Sequence, residues 1–289
     1  MSIYRPDVKL ANFIECYWTV PHAIGKILQS QEIMTQGTSI ELIFDADALP
    51  HIFLIRGANF IGHTGNCCLN ILSDPNPIFG IRFKVNGLYP FSKFSLKDFT
   101  ITPLQRPGSY QGAAEPRDIL GDSVEYLAEH LQESRTIADK IKIANQFFIR
   151  RLPEIRPVDY FVDHLVNELY TKNGLSTVDQ LSVKYNVNKK TIERRFVNTT
   201  GFNPKEFSQI IRFNCMLKIC NYNSAKQVKR IIYDLGYYDN AHFQKDFKKF
   251  TKLTPSAFFS KNYRVLQVPT KTQHPLFKPK ADSHHYYHE

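Results

Sequence analysis

Apolar positions along this chain change their period partway through. Over the first 112 residues they come in short β-branched and aromatic runs: "SIELIFDAD", "HIFLIRGANFIGHTG", "CLNILSD" and "IFGIRFKVNGLYPF", each bounded by Gly, Pro, Asn or Asp. Such runs predict strands, and their regular spacing predicts a small barrel or sandwich, with a cupin-like closure as one option. From about residue 113 the period becomes helical. Ile119, Leu120, Val124, Leu127 and Leu131 mark one helix; Ile137, Ile141, Ala144 and Phe148 mark the next. A break near "ESRT" makes the pair an αα-hairpin. Pro153 and Pro157 punctuate the passage to a helix over about 157–172, with Gly174 as its C-cap. The predicted fold class is therefore α+β. A β-rich domain spans 1–112, a helical hairpin or linker 113–156 and an all-α domain 157–262, and a Pro- and Lys-rich tail without periodicity, expected to be loose, fills 263–289.

Inside the all-α region the pattern repeats itself. In "LSTVDQLSVKYNVNKKTIERRF", Thr177 caps a helix with Gln180 at capping-box spacing, and Val178, Leu181 and Tyr185 form its inner face. A turn through Asn186 and Val187 follows, and Asn188 caps a second helix. Ile192 and Phe196 point inward there, leaving Lys189, Lys190, Thr191, Glu193, Arg194 and Arg195 mostly outward. About fifty residues later, "VKRIIYDLGYYDNAHFQKDFKKF" sets Val228, Ile231, Ile232 and Leu235 on one face. Gly236 supplies a turn, Asp239 a cap, and 240–250 a helix with Phe243, Phe247 and Phe250 inward. Between the two units Asn203 caps a connector with Pro204 in its first turn. Phe207, Ile210, Ile211, Phe213, Leu217 and Ile219 give that connector a broad apolar surface. A short helix, a tight turn and a basic second helix are what helix-turn-helix readers of DNA require.

Charge follows the same division. The chain carries a net +10, but residues 1–172 hold 17 Lys/Arg against 19 Asp/Glu, a net of −2. Residues 173–264 hold 17 against 6, a net of +11. A neutral region joined to a strongly basic one is the footprint of a nucleic-acid-binding module with a partner domain. The five cysteines form no CxxC pair and no disulfide framework, which predicts a reduced, cytoplasmic protein. The N-terminal stretch lacks the pattern of a signal peptide, and no run of apolar residues is long enough to predict a membrane span.

These residues carry a resemblance. The stretch 174–260 resembles the AraC/XylS family of bacterial transcription regulators, whose hallmark is a double helix-turn-helix. The second-motif landmarks are Gly236-Tyr237, Asp239, Ala241, Phe243, Phe247, Lys248, Lys249, Pro255 and Phe258; Phe196, Gly201, Pro204, Phe207 and Arg212 match the first motif and the connector. Two positions depart from the pattern: Ile232 stands for the usual alanine, and Lys252 for the usual glycine. The resemblance implies base-edge readers at Lys190, Glu193 and Arg194 in the first unit, and at Asn240, Ala241, His242, Gln244 and Lys245 in the second. Side-chain chemistry agrees, since Arg and Lys suit guanine, Asn and Gln suit adenine, and Glu can accept from cytosine. Lys189, Arg195, Arg212, Lys248 and Lys249 are assigned to phosphates, with an internal salt bridge as the other option for Arg212. His242 is equally readable as a packed polar residue.

The N-terminal region is similar to the β-rich domain that precedes such modules in many regulators. This likeness implies a small-molecule effector site or a surface for pairing two copies, to which the helices near 116–150 contribute. The partners expected are double-stranded promoter or operator DNA, an effector, RNA polymerase and a second copy of the chain, with no membrane and no cofactor. An enzyme is the alternative: an alkylation-repair protein or metal-dependent oxygenase delivered to DNA by its helical half. His51 and His63 are twelve apart with Glu41 nearby, a looser spacing than a cupin-type metal site needs, so no metal site is predicted. No GxSxG, HExxH, P-loop or GxGxxG is placed where its chemistry would need it, so no catalytic residue is assigned.

Overall fold

The computed structural model describes residues 2–20, 32–34, 38–44, 50–54, 78–99, 113–114, 116–222, 232–251, 254–260 and 264–266. The β-rich half is a six-stranded antiparallel sheet ordered β1-β2-β6-β4-β5-β7. Its strands are β1 (Ser2–Tyr4), β2 (Ile14–Val20), β4 (Ile40–Phe44), β5 (Pro50–Leu54), β6 (Ile78–Phe83) and β7 (Ala113–Ala114). The runs holding β4, β5 and β6 are the predicted ones. "CLNILSD" lies outside the described residues, and so do His63 and the stretch 100–112. Strand β2 was not singled out from the sequence. A register shift between Ile14 and Cys16 breaks its alternation, so Ile14 and Tyr17 share the core face although they are three apart. A further pair joins β3 (Glu32–Met34) in parallel to β8 (Arg264–Leu266), within the stretch predicted to be loose.

The two faces of the sheet differ in chemistry. Ile14, Tyr17, Ile40, Leu42, Phe44, Phe79, Ile81 and Phe83 line the apolar core. The opposite face carries a buried polar network centred on Glu41, which is only 1% exposed. Glu41 accepts from Arg82 Nε at 2.5 Å, from Trp18 Nε1 at 2.8 Å and from Ser39 Oγ at 3.1 Å. Trp18 lies directly on Gly80, where a Cβ would fall 2.0 Å from the indole ring. Glu41 therefore anchors an ion pair, and the pair raises the Arg82 pKa against the opposing effect of burial. Burial also pushes the neighbouring Cys16 thiol up to about 12, which keeps it protonated.

Helices cover the apolar face. Gly121, at φ +77°, separates α1 (Pro116–Leu120) from α2 (Ser123–Glu133), and Thr136 caps α3 (Ile137–Arg151) through the Asp139 N–H. Phe148 of α3 meets Phe83 and Phe91 edge-on at 5.4 and 5.2 Å. Asn145 of the same helix accepts from Tyr17 Oη at 2.8 Å and from the Asp7 backbone at 3.0 Å. The hairpin thus seats on the sheet and shares its core. Helices that follow, among the described residues, include α4 (Tyr160–Thr171), α5 (Val178–Tyr185), α6 (Lys189–Thr200), α7 (Pro204–Tyr222), α8 (Asn240–Thr251) and α9 (Pro255–Ser260). Gly174 closes α4 at φ +73°, and a Cβ there would lie 2.2 Å from the Ser208 carbonyl oxygen of α7. Only glycine satisfies both the left-handed backbone and that approach.

Removing one partner of a buried pair leaves the other charge without compensation, at a cost of about 3–5 kcal/mol. Glu41→Ala is expected to lower stability by that order in chemical denaturation, with the loss confined to the β-rich half in hydrogen exchange.

Candidate nucleic-acid interface

The first helix-turn-helix unit forms as its caps dictate. Thr177 Oγ1 accepts from the Gln180 N–H at 3.2 Å, and Gln180 Oε1 accepts in return from the Thr177 N–H at 2.9 Å. Asn186 ends α5 in the left-handed region at φ 51°, a conformation asparagine tolerates better than most residues. Asn188 Oδ1 then caps α6 through the Lys190 N–H at 2.9 Å. Leu181, Ile192 and Phe196 are buried, and Phe196 packs edge-on against Phe207 of α7 at 5.3 Å. This seating leaves Lys190, Glu193 and Arg194 exposed together on the outer face of α6.

Two cations of this unit have protein partners. Lys189 Nζ lies 2.5 Å from Asp179 Oδ1 on the surface, where both side chains are solvated. Arg195 is held more firmly. Its Nε and Nη2 donate to the two carboxylate oxygens of Asp159 at 2.9 and 2.5 Å, and its guanidinium lies 4.6 Å over the Phe161 ring. The Asp159 hydrogen bond raises the Arg195 pKa above its ordinary value. Asp159 also caps α4, accepting from the Val162 N–H at 3.2 Å. The last turn of α6 meets the β-rich half as well: Ser95 Oγ donates to the backbone and side-chain oxygens of Asn198, each at 3.2 Å, beside the turn Leu96–Phe99.

The second unit follows the same plan. Gly236 turns the chain at φ +74°, where a Cβ would fall 2.6 Å from Leu175 Cδ2. Asp239 caps α8 through the His242 N–H at 2.7 Å. Phe243, Phe247 and Phe250 are buried, with Phe213 of α7 at 5.7 Å from Phe247 and 4.9 Å from Phe250. Phe258 of α9 closes on Phe247 at 5.1 Å. Ile232 and Leu235 are buried too, so the departure at 232 is ordinary packing; Val228, Ile231 and Lys252 lie outside the described residues, as do the side chains of Leu217 and Ile219. Asn240, Ala241, Gln244, Lys245, Lys248 and Lys249 are exposed.

Some predicted positions carry a second duty. His242 is half-buried, with its ring 5.4 Å from Tyr237 and Nε2 3.8 Å from Asp246 Oδ2. Arg212 donates from Nη1 to the Gly236 carbonyl at 3.3 Å and lies 5.5 Å over the Tyr237 ring. Among the described residues it braces the turn ahead of α8 through a carbonyl and a ring face. Lys249 Nζ reaches Gln209 Oε1 at 3.1 Å. Among the described residues no group of three or more His, Cys, Asp or Glu is placed to hold a metal, and no helix is long and apolar enough to cross a membrane.

Residues 181–261, which carry this geometry, match the family model of a helix-turn-helix domain. This region is an AraC-type helix-turn-helix domain. The AraC-type domain makes the chain a DNA-binding transcription regulator. Residues 2–104, ahead of the AraC-type domain, match a second model described as a domain of unknown function (DUF6597). No curated protein matches the chain significantly. Two crystal structures of ToxT from Vibrio cholerae align over 90% of this chain and over 95% and 96% of their own, at 11% identity, with TM-scores of 0.34 and 0.33. Scores this low do not establish a shared fold.

Sequence reading missed Asp159, Gln209, Asp246 and Ser95 in and around the AraC-type domain. Asp159 had a local signal as a helix cap after Pro157, but its ion pair spans 36 residues and no spacing rule reaches that far. Emptying a buried phenylalanine site typically costs about 3–5 kcal/mol, whereas surface changes stay within about 0.5 kcal/mol. Phe247→Ala is expected to lower the stability of the AraC-type domain by the former amount and Gln244→Ala by no more than the latter, as read by thermal unfolding in circular dichroism.

Proposed function

We propose that α6 and α8 enter two successive major-groove segments of one duplex, and that the protein regulates transcription from the promoter it thereby selects. The observation that carries this reading is an arrangement common to both helices. Their aromatic residues are buried against α7, while amides, cations and one carboxylate stand exposed on the other side. On this reading Lys190, Glu193, Arg194, Asn240, His242, Gln244 and Lys245 address base edges, whose donor and acceptor pattern in the major groove is unique to each base pair. Lys189, Lys248 and Lys249 contact phosphates. A solvated pair such as Lys189–Asp179 contributes at most about 1 kcal/mol, so it yields readily to a phosphate. Arg195 and Arg212 reach phosphate only by leaving Asp159 and Gly236, and their weight falls on positioning.

The remaining assignments belong to the same proposal. The β-rich region takes a small-molecule effector or pairs two copies, and the exposed face of α2, with Tyr126 55% exposed, supports a homodimer contact. RNA polymerase is the downstream partner of an activator built this way. The chain acts without catalysis of its own, in the cytoplasm, where its buried cysteines Cys16 and Cys215 remain reduced.

Selection of bound duplexes from a randomised library, repeated for variants, tests the docking. Arg194→Ala and Lys245→Ala are expected to relax the selected sequence, each at its own position, at about 1–3 kcal/mol of discrimination. Lys248→Ala should weaken binding to every duplex alike and reduce the salt slope by about 1. An unchanged selected motif in both base-reading variants would sink the model.

A further inference from the structure

The two helix-turn-helix units close their first helices in the same way. In the first, the Asn186 N–H donates to the Val183 carbonyl at 3.3 Å and the Val187 N–H to the Ser182 carbonyl at 3.1 Å. In the second, the Gly236 N–H donates to the Tyr233 carbonyl at 2.9 Å and the Tyr237 N–H to the Ile232 carbonyl at 3.1 Å. Asn186 and Gly236 both take the left-handed conformation, at φ 51° and 74°. The turns can therefore be laid residue on residue, Asn186 on Gly236 and Val187 on Tyr237. Val187 and Tyr237 both pack inward, the first partly buried and the second fully.

Beyond that point the second turn is one residue longer. In the first unit Asn188 follows Val187 directly and caps α6. In the second, Tyr238 is inserted before Asp239, which caps α8. The inserted side chain is 88% exposed, in contrast to the buried Tyr237 beside it. A side chain so fully solvated adds little to stability, and tyrosine is not among the residues a turn selects for its backbone. Its place is suggestive in another way, because it stands two residues ahead of Asn240, the first residue of α8. A recognition helix meets base edges with its N-terminal residues, so the turn before it runs beside the sugar-phosphate backbone that borders the groove. Tyrosine hydroxyls are among the groups that donate to phosphate oxygens, whereas the bidentate base contacts belong to Arg, Lys, Asn and Gln.

We propose that the Tyr238 hydroxyl donates to a phosphate oxygen at the edge of the groove that α8 enters, and so sets the register of the second unit on the duplex. The inference rests on the docking of α8 proposed above. The shorter first turn has no position equivalent to Tyr238, so the contact belongs to the second unit alone. Because the phenol carries no charge, the contact fixes position without releasing a counterion.

Binding of the full chain to the duplex selected from the randomised library, measured by fluorescence anisotropy over a range of salt concentrations, tests it. Tyr238→Phe removes only the hydroxyl and is expected to weaken binding about tenfold, the worth of a hydrogen bond to a charged group. The selected motif and the salt slope should both stay as in the wild type, whereas Lys248→Ala lowers the slope. Replacing single phosphates beside the α8 segment with neutral methylphosphonates should find one position that weakens the wild type and leaves Tyr238→Phe no weaker than before. That comparison is made within each protein, so it holds even where the variant loses stability. Wild-type affinity in Tyr238→Phe, while Lys248→Ala still loses affinity, would overturn the tyrosine contact alone; unchanged binding in both variants would take the docking of α8 with it. A changed motif in Tyr238→Phe would move the hydroxyl to a base edge and overturn the phosphate assignment. Equal losses in both proteins at every methylphosphonate position would overturn it too.

Discussion

Phe207 and Phe213, six residues apart on α7, hold the two halves of the AraC-type domain. Phe207 gathers Phe196, Phe202 and Tyr170 within 5.3–5.7 Å, and Phe213 gathers Phe247 and Phe250. One group seats α6 and the other α8, each through the helix's own aromatic residues. At about 1.5 Å of rise per residue the two anchors are roughly 9 Å apart along a rigid rod. The relative pose of α6 and α8 is therefore a property of one helix and its packing, and the exposed side chains inherit their directions from it. Edge-to-face ring pairs add orientation to the plain burial of area, since they favour one arrangement over its neighbours by about 0.5–1.5 kcal/mol.

The local rules of the sequence were readable where one residue determines one backbone group. Thr177 with Gln180, Asn188 and Asp239 all cap where their spacing placed them, and the inward phenylalanines are buried as their period required. Legibility failed where structure depends on distant partners. The alternation of β2 is broken by a register shift that its own residues do not announce. Glu41 read as a loose companion of two histidines, whereas it is the centre of a buried network that includes Trp18 and Arg82. The pairing of β3 with β8 links stretches more than two hundred residues apart, and no local pattern in the tail points to it. The same holds for Arg195: its charge was plain, its commitment to Asp159 was not.

Charge in the basic region accordingly divides into two kinds. Lys190, Arg194, Lys245 and Lys248 stand on exposed faces and contribute to the field that draws in a polyanion. Arg195 and Arg212 spend their donors inside the protein, on a carboxylate and on a carbonyl with a ring face. A count of +11 over the stretch overstates what a duplex would meet, because part of that charge stabilises the turns and helix ends that aim the rest. Geometry, more than total charge, decides which cations are available.

The contact of Ser95 with Asn198 ties the first helix-turn-helix unit to the β-rich half. That unit is held by the β-rich half at Ser95, by α4 through Asp159, Glu168 and Phe161, and by α7 through Phe207. Among the described residues the second unit is joined to the rest through α7, its preceding turn and Leu175. Docking a surface costs less when its orientational freedom has already been removed, so the first unit arrives at a target largely pre-organised. Among the described residues the second unit shows no such tie to the β-rich half, and its pose there is set by α7 and the turn at Gly236.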